Sequence, residues 1–239
     1  MGGKITLYVD IVSPFGYLAY YMLRTSPTFK STTVTYVPIL LGGLHKLCNN
    51  TAPLFIKNKA EWINTERDRW ASQFNIPVRK GPPAVFPIST VNAQRILCAL
   101  ETTAPEKMGE AIDVLWPVVW NPDVLAGMGV AKAENGEYDV KDVKVLHALL
   151  AHENALGTDL ADKVCGMIGQ KEVKDRLGAN TQKAFEAGAF GLPWLTCENE
   201  KGEKQGFWGF DHLGQVCNFL GLDLDADAQR SGRKVKAML

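Results

Sequence analysis

The sequence predicts an α/β fold in which a small sheet is shared between the two ends of the chain. Alternating apolar runs that indicate β-strands occur near the start, at 5–9 and 33–38, and again after Pro193. Between these regions the apolar residues recur every three to four positions, as they do along amphipathic helices. A long all-helical segment is therefore expected to interrupt the sheet-forming part of the chain.

The first strand leads into a helix at Ser13. Proline is favoured at the first helical position, where Pro14 would lie, and serine is a good N-cap. A hydroxyl would then lie at the positive end of a helix dipole and at the carboxyl end of a strand. Ligands bind at that end of open α/β sheets, and helix N-termini stabilise anions, including thiolates. On this fragment alone, an ordinary helix start explains Ser-Pro at least as well as a binding site does.

The middle of the chain reads as a series of helices. The periodic segments are 60–70, 92–101, 106–119, 143–156, 158–168 and 171–187. Ser89 or Thr90 is available to cap the second segment and Thr158 the fifth, and Gly-Pro-Pro at 81–83 marks a loop. The predicted organisation is a sheet-containing domain at 1–45 and 186–222, a helical insertion at 46–185 and a C-terminal tail at 223–239.

Near the far end, an apolar residue precedes Pro193, and a short strand follows. A polar turn ending at Gly202, a second strand and a helix complete the order. This order resembles the C-terminal half of a thioredoxin-like domain, in which the proline is cis and faces the start of the first helix. The fold class expected from this resemblance is a thioredoxin-like domain interrupted by an inserted all-helical subdomain.

Four short motifs occur in a fixed order between about Lys4 and Gly221. They are Ser13-Pro14-Phe15, Asn50-Thr51-Ala52-Pro53, Gly188-Ala189-Phe190-Gly191-Leu192-Pro193 and Trp208-Gly209-Phe210-Asp211-His212-Leu213. Together they make the chain resemble the kappa-class glutathione transferases and the similar 2-hydroxychromene-2-carboxylate isomerases. Each motif alone is weak, and their order over this length is fairly specific.

The resemblance implies a glutathione site. In it, the Ser13 hydroxyl would stabilise the glutathione thiolate for attack on a small electrophile or peroxide. The other residues expected to bind glutathione are Pro14, Phe15, Asn50, Leu192, Pro193, Asp211 and His212. The implied activity is that of a kappa-type glutathione transferase, and the implied assembly is a homodimer. Two alternatives stay open: a glutathione-dependent cis-trans isomerase and a non-catalytic thioredoxin-like binding protein.

Two residues depart from the family pattern. His212 stands where an arginine is usual, and Phe210 stands where a small polar residue is usual. Replacing an arginine, which is always charged and can bind a carboxylate through two hydrogen bonds, weakens the expectation of carboxylate recognition there. Backbone N–H groups at the start of the last helix could still bind an anion.

Charge and hydropathy exclude several classes of protein. The 26 basic residues match the 26 acidic ones, and outside a short basic tail at 230–236 no cluster suits nucleic acid. No stretch approaches the roughly 18 apolar residues that span a membrane. The start, Met1–Lys4, has no signal-peptide pattern, so a cytoplasmic location is expected, with mitochondrion or peroxisome as alternatives; the last three residues only loosely match a peroxisomal signal.

The five cysteines are spread along the chain and form no Cys-x-x-Cys pair. Dithiol redox chemistry and a zinc knuckle therefore both lack the required residues, and no metal is expected. Ser13 and Gly16 stand where thioredoxin-like oxidoreductases carry their two cysteines, and a serine cannot form a mixed disulfide. Cys48, close to Asn50, is a minor candidate for a reactive thiol.

Further side chains have both a functional and an ordinary structural interpretation. Five aromatic residues could line an acceptor pocket, although most aromatics at helical spacing belong to a core: Phe15, Trp62, Trp70, Trp116 and Trp120. Lys57, Lys59 and Arg67 could meet an anion, and a solvated surface is the simpler expectation. Arg95 and Glu101 lie on a probable helix, where an internal ion pair or a dimer contact would explain them as well as catalysis would. His147 and His152 lack the i, i+4 spacing of a metal pair. A serine hydrolase is disfavoured because no Gly-x-Ser-x-Gly elbow surrounds Ser13.

Overall fold

The structure is a computed structural model that describes residues 3–224. The strands are β1 (Lys4–Val9), β2 (Thr33–Pro38), β3 (Trp194–Glu198) and β4 (Lys204–Trp208). They form one sheet in the order β2-β1-β3-β4, in which β1 and β2 are parallel and the other neighbours are antiparallel. The strands expected at 5–9 and 33–38 are confirmed.

Helices fill the chain between and around the strands. They are α1 (Pro14–Thr25), α2 (Leu41–Leu47), α3 (Lys59–Phe74), α4 (Val91–Thr103), α5 (Met108–Leu115), α6 (Pro117–Trp120), α7 (Val143–Leu150), α8 (Thr158–Met167), α9 (Lys171–Glu186) and α10 (Leu213–Leu220). The expected sheet interrupted by a long helical segment is confirmed, because α2 to α9 all lie between β2 and β3 in the chain.

Three expectations about helix bounds and caps were wrong. The segment predicted at 106–119 is divided into α5 and α6, because Pro117 cannot donate the backbone hydrogen bond that would continue the helix. The helix predicted at 143–156 ends at Leu150. Thr158 is the first residue of α8 and Gly157 occupies the N-cap position.

The core runs through both parts of the molecule. Leu7 and Leu195 of the sheet belong to the same buried hydrophobic cluster as Ile112 and Leu149 of the helical segment. Because alternate strand residues face opposite sides, Tyr8 joins a smaller cluster with Leu44 of α2 and Ala184 of α9 on the other face. The proposed domain bounds stay a prediction.

The tail predicted at 223–239, with its basic residues and its last three residues, lies outside the described residues apart from positions 223 and 224. Within the described residues, no helix is both long and apolar enough to cross a lipid bilayer.

Candidate functional site

The strand directions bring three predicted segments to one end of the sheet. Tyr8 near the end of β1 is in register with Trp194 at the start of β3, and Trp194 is in register with Trp208 at the end of β4. The loop that carries Ser13, the residues before β3 and the residues after β4 therefore all lie at this end. Helix α1 also contacts the 3₁₀ turn Phe210–His212.

Ser13 is the N-cap of α1, as the sequence predicts. Its hydroxyl oxygen accepts a hydrogen bond of 3.0 Å from the Gly16 N–H, and its own N–H donates to the Asp10 carbonyl at 3.0 Å. Among the described residues the Ser13 O–H has no acceptor, and the Phe15 N–H has no backbone acceptor. Ser13 is only 4% exposed. Two donors at the positive end of a helix dipole are thus unpaired beside a nearly buried hydroxyl, an arrangement that suits an anion.

Two tryptophan side chains donate hydrogen bonds to the loop that precedes α1. The Trp116 indole N–H donates to the Ser13 carbonyl at 3.2 Å, and the Trp120 indole N–H donates to the Ile11 carbonyl at 3.0 Å. Both side chains are fully buried, which agrees with the simpler interpretation that aromatics at helical spacing belong to the core. Each indole combines a large buried surface with one hydrogen bond that fixes the loop.

Asp10 is a site residue that the sequence analysis missed. It is 1% exposed, and its carboxylate accepts hydrogen bonds from the Val12 N–H at 3.2 Å, the Leu41 N–H at 2.8 Å and the Thr90 hydroxyl at 2.7 Å. Burial raises the pKa of Asp10, and the three donors partly oppose that shift. The Thr90 hydroxyl therefore donates its hydrogen bond to Asp10 and makes no side-chain cap for α4.

Gln94, one turn into α4, adds two hydrogen bonds to those of Asp10. We refer to the hydrogen bonds of Asp10 and Gln94 together as the clamp. The buried amide nitrogen of Gln94 donates to the Val9 carbonyl at 2.5 Å and to the Ile39 carbonyl at 2.6 Å. These carbonyls lie at the carboxyl ends of the parallel strands β1 and β2, where the strand ladder stops. Asp10 and Gln94 thus join the end of the sheet, the Ser13 loop and the helical segment. In the sequence, the only indication of this role for Asp10 is its position as a polar residue directly after β1.

The Leu192–Pro193 peptide bond is cis, as the resemblance implies. The Pro193 carbonyl accepts a hydrogen bond from the Gly209 N–H at 3.0 Å, and Leu192 makes no backbone hydrogen bond with the described residues. Gly209 has a φ of 102°, a backbone conformation that residues with a side chain rarely adopt, so this position favours glycine. The unpaired backbone of Leu192 is able to pair with an extended peptide ligand.

The far side of the site is more open. Asp211 is 56% exposed, and its carboxylate lies 3.4 Å from the His212 imidazole Nδ1. Phe210 points the other way: it is buried and makes edge-on contacts with Trp70 and Phe74 of α3. The unusual phenylalanine therefore anchors the turn to the helical segment and leaves the position of Asp211 open to solvent.

Asn50 and Cys48 tie their loop to the segment before Pro193. The Asn50 amide donates to the Phe190 carbonyl at 2.8 Å, and the Cys48 thiol donates to the Ala189 carbonyl at 3.3 Å. Burial raises the pKa of Cys48, which is the opposite of what a reactive thiolate requires. Both residues therefore position the loop that carries the cis-proline.

The remaining candidates are scattered. Lys57 and Lys59 are exposed, as expected, whereas Arg67 is fully buried. That surface expectation was wrong because neighbouring groups of α3 compensate the guanidinium, which binds Asp68 and Asn64 and lies 5.7 Å from the Trp120 ring centroid.

Arg95 and Glu101 form no ion pair with each other, which rules out one of the three explanations considered for them. Glu101 contacts Arg176 at 3.5 Å and accepts a hydrogen bond from Asn180 at 3.0 Å. His147 pairs with Asp162 at 2.6 Å, and the described residues hold no group of three or more side chains suited to a metal. Of the other aromatics, Phe15 and Trp70 are half-buried and Trp62 is 55% exposed.

Relatives with two different names cover almost the whole chain. Glutathione S-transferase kappa 1 of Caenorhabditis elegans is 25% identical, with 91% of this chain and 90% of the relative covered. The 2-hydroxychromene-2-carboxylate isomerase of Pseudomonas putida is also 25% identical, with 91% of this chain and 94% of the relative covered. A solved 2-hydroxychromene-2-carboxylate isomerase structure has a TM-score of 0.70 at 21% identity, covering 91% of this chain and 94% of that one. The predicted resemblance and the predicted fold are confirmed.

A family model gives the broader assignment. The model of the DSBA-like thioredoxin domain matches residues 4–127, just over half of the chain. That range contains β1, α1 and β2, together with the tryptophans that hold the Ser13 loop. The chain therefore belongs to the DSBA-like thioredoxin domain family.

Proposed function

We propose that the protein is a glutathione transferase of the kappa type. The observation that carries this proposal is the Ser13 hydroxyl at the N-terminus of α1, whose proton has no acceptor among residues 3–224. A serine at this position cannot exchange disulfides, but it can donate a hydrogen bond to a sulfur anion. The relatives named as kappa transferases support glutathione as the source of that sulfur.

Glutathione would lie across the end of the sheet. The unpaired N–H and C=O of Leu192 would bind its peptide backbone as a short added strand. The exposed Asp211 carboxylate would face its γ-glutamyl ammonium group, and its thiol would point to Ser13. Asn50 would act through the Phe190 carbonyl by keeping the Leu192 segment in place.

The chemistry would begin with loss of the thiol proton to solvent. A free cysteine thiol has a pKa of about 8.5, so little thiolate exists at neutral pH. Charge-assisted hydrogen bonds are worth about 1.5–3 kcal/mol, which corresponds to lowering the thiol pKa by about one to two units. The near-complete burial of Ser13 limits competition from water for this bond. The thiolate then forms a carbon–sulfur bond with the electrophile, and the electron pair of the broken bond leaves with the displaced group or on the adjacent atom.

An isomerase is the second candidate, because relatives of equal identity and coverage carry that name. In that reaction glutathione would add to an unsaturated substrate, allow rotation about the former double bond and leave unchanged. The same Ser13 hydroxyl would serve both reactions. Product analysis separates them, since a glutathione conjugate accumulates only in the transferase.

The test of the proposed function is a calorimetric titration with reduced glutathione at pH 6.5 and pH 8, with S-methylglutathione as the matched ligand. If the bound thiol pKa is lowered by about 1.5 units, glutathione should bind about 5-fold more tightly at pH 8. S-methylglutathione, which has no proton to lose, should show no such gain. Absence of glutathione binding, or the same pH dependence for both ligands, would contradict the proposal.

A further inference from the structure

A concave surface lies between the three helices α2, α4 and α9 and includes none of the residues around Ser13. This α2/α4/α9 groove has a volume of about 450 Å³, and its walls include Leu40, Leu47, Arg95, Lys174, Leu177 and Gly178. None of these residues belongs to the candidate glutathione site. The groove is a shallow cleft that opens to solvent along one side.

The groove combines apolar walls with open space. Leu47 is 43% exposed although it is a large apolar side chain, and Leu177 forms part of the floor. Gly178 lies inside α9, where glycine costs about 0.5–1 kcal/mol relative to alanine. A Cβ at Gly178 would meet no atom within 4 Å, so packing against the rest of the chain does not require glycine there. The missing side chain keeps the groove open.

The charge in the groove is one-sided. Arg95 and Lys174 line it, and no aspartate or glutamate does. The Arg95 Nε is buried and has no hydrogen-bond partner within residues 3–224. Arg79 also has a buried Nε without a partner, but its terminal nitrogens bind both carboxylate oxygens of Glu137, at 2.6 and 2.7 Å. The terminal nitrogens of Arg95 have no such acceptor within residues 3–224, and the planar fork of a guanidinium matches a carboxylate.

We propose that the α2/α4/α9 groove binds a small organic carboxylate with a flat apolar body. Arg95 binds the carboxylate, Leu47 and Leu177 cover the apolar body, and Lys174 adds positive potential along the groove. The groove shares no residue with the proposed glutathione site, and its residues Leu40 and Arg95 directly adjoin Leu41 and Gln94, which hold the end of the sheet.

The test is a titration of the full-length protein with 2-naphthoate, followed by amide NMR shifts and calorimetry, with neutral 2-naphthalenemethanol as the matched ligand. A ligand of this size is expected to bind with a Kd of about 0.1–1 mM. Arg95→Gln should weaken naphthoate binding about 10-fold and leave binding of the neutral alcohol unchanged. Gly178→Leu should fill the groove and abolish binding of both.

Gly166→Leu is the control for Gly178→Leu, because it also adds a side chain at a helical glycine with nothing within 4 Å, in α8 and outside the groove. It should leave binding unchanged. The proposal is overturned if naphthoate shows no saturable binding up to about ten times the upper expected Kd. It is also overturned if glutathione competes with naphthoate while Arg95→Gln and Gly178→Leu have no effect. The proposal is also overturned if the protein is a dimer in which a second copy covers the groove, and Gly178→Leu dissociates that dimer.

Discussion

Ser13 and Asp211 lie at the same end of one sheet, but the molecule holds them in opposite ways. The loop of Ser13 is buried and fixed by the carboxylate of Asp10 and by the indole N–H groups of Trp116 and Trp120. Asp211 is more than half exposed, and its one side-chain contact within the described residues is the 3.4 Å approach to His212. One side of the candidate site is therefore pre-organised and the other is solvated.

The difference assigns separate tasks to the two sides. A hydrogen bond to a developing anion is most effective when the donor is already in place and water is excluded. An exposed carboxylate can select a charged group of the ligand, but solvent and salt screen that contact. Changes on the Ser13 side should therefore alter the state of the thiol, whereas changes on the Asp211 side should alter only affinity.

The largest effect is expected from Asp10→Ala. This change leaves the partly buried N–H groups of Val12 and Leu41 and the buried Thr90 hydroxyl without their acceptor. At about 1 kcal/mol for each of these three lost hydrogen bonds, the free energy of unfolding should fall by about 3 kcal/mol in urea titrations. Asp123→Ala, which removes a carboxylate that is 95% exposed, is the control and should change the free energy of unfolding by less than about 0.5 kcal/mol. Equal stability of Asp10→Ala and the wild type would contradict the clamp.

The same carboxyl group predicts a pH dependence. Because burial raises the pKa of folded Asp10 above its unfolded value, the folded state holds this proton to higher pH. The contribution of Asp10 to stability is therefore greatest below the unfolded pKa and declines as pH rises through the folded pKa. Relative to the wild type, Asp10→Asn should become more stable as pH rises from about 4 to 7. A stability difference that stays constant over this range would contradict the raised pKa.

A smaller effect is expected from Trp116→Phe. The change removes the hydrogen bond to the Ser13 carbonyl and part of a fully buried ring. The free energy of unfolding should fall by about 1–2 kcal/mol, and the pKa of bound glutathione should rise because Ser13 is less firmly held. Trp62→Phe alters a half-exposed ring on α3 and should do neither. An unchanged pKa of bound glutathione in Trp116→Phe would show that the indole N–H does not position Ser13.

The smallest effect is expected on the solvated side. Asp211→Asn should raise the Kd for glutathione about 3- to 10-fold, because a screened charge contact is worth about 1 kcal/mol, and the pKa of the bound thiol should not move. His212→Gln should change the Kd by less than about 2-fold, since the imidazole approaches Asp211 only at 3.4 Å. A shift of the thiol pKa in Asp211→Asn would remove the distinction between the two sides.

The sequence could predict the local features of the site but not the contacts between residues far apart in the chain. Ser13 as an N-cap, the strand at 33–38 and the polar turn before β4 all depend on neighbours within a few residues, and the structure contains each of them. The tethers of the Ser13 loop depend on partners far along the chain. Trp116 donates to a carbonyl 103 residues away and Thr90 to a carboxylate 80 residues away. Periodicity records only that Trp116 lies on an apolar helix, not which backbone group its N–H reaches.

Arg67 shows the same limit for charge. A charged residue between other charged residues of a helix is ordinarily solvated, which is why a surface position was expected. Its burial depends on Trp120, more than fifty residues away in the sequence, whose ring lies 5.7 Å from the guanidinium. Local composition cannot report such a contact.

The most direct test of the central claim is the pKa of glutathione bound to the wild type and to Ser13→Ala, measured from thiolate absorbance as the pH is varied. The wild type should hold the bound thiol about one to two pKa units below free glutathione, and Ser13→Ala should recover most of that difference while the far-ultraviolet circular dichroism stays unchanged. Activity at pH 7 should fall about 8- to 25-fold in the variant, in proportion to the fraction of bound glutathione that is thiolate. The same bound-thiol pKa in both proteins would show that Ser13 only caps a helix, and it would contradict the proposed mechanism.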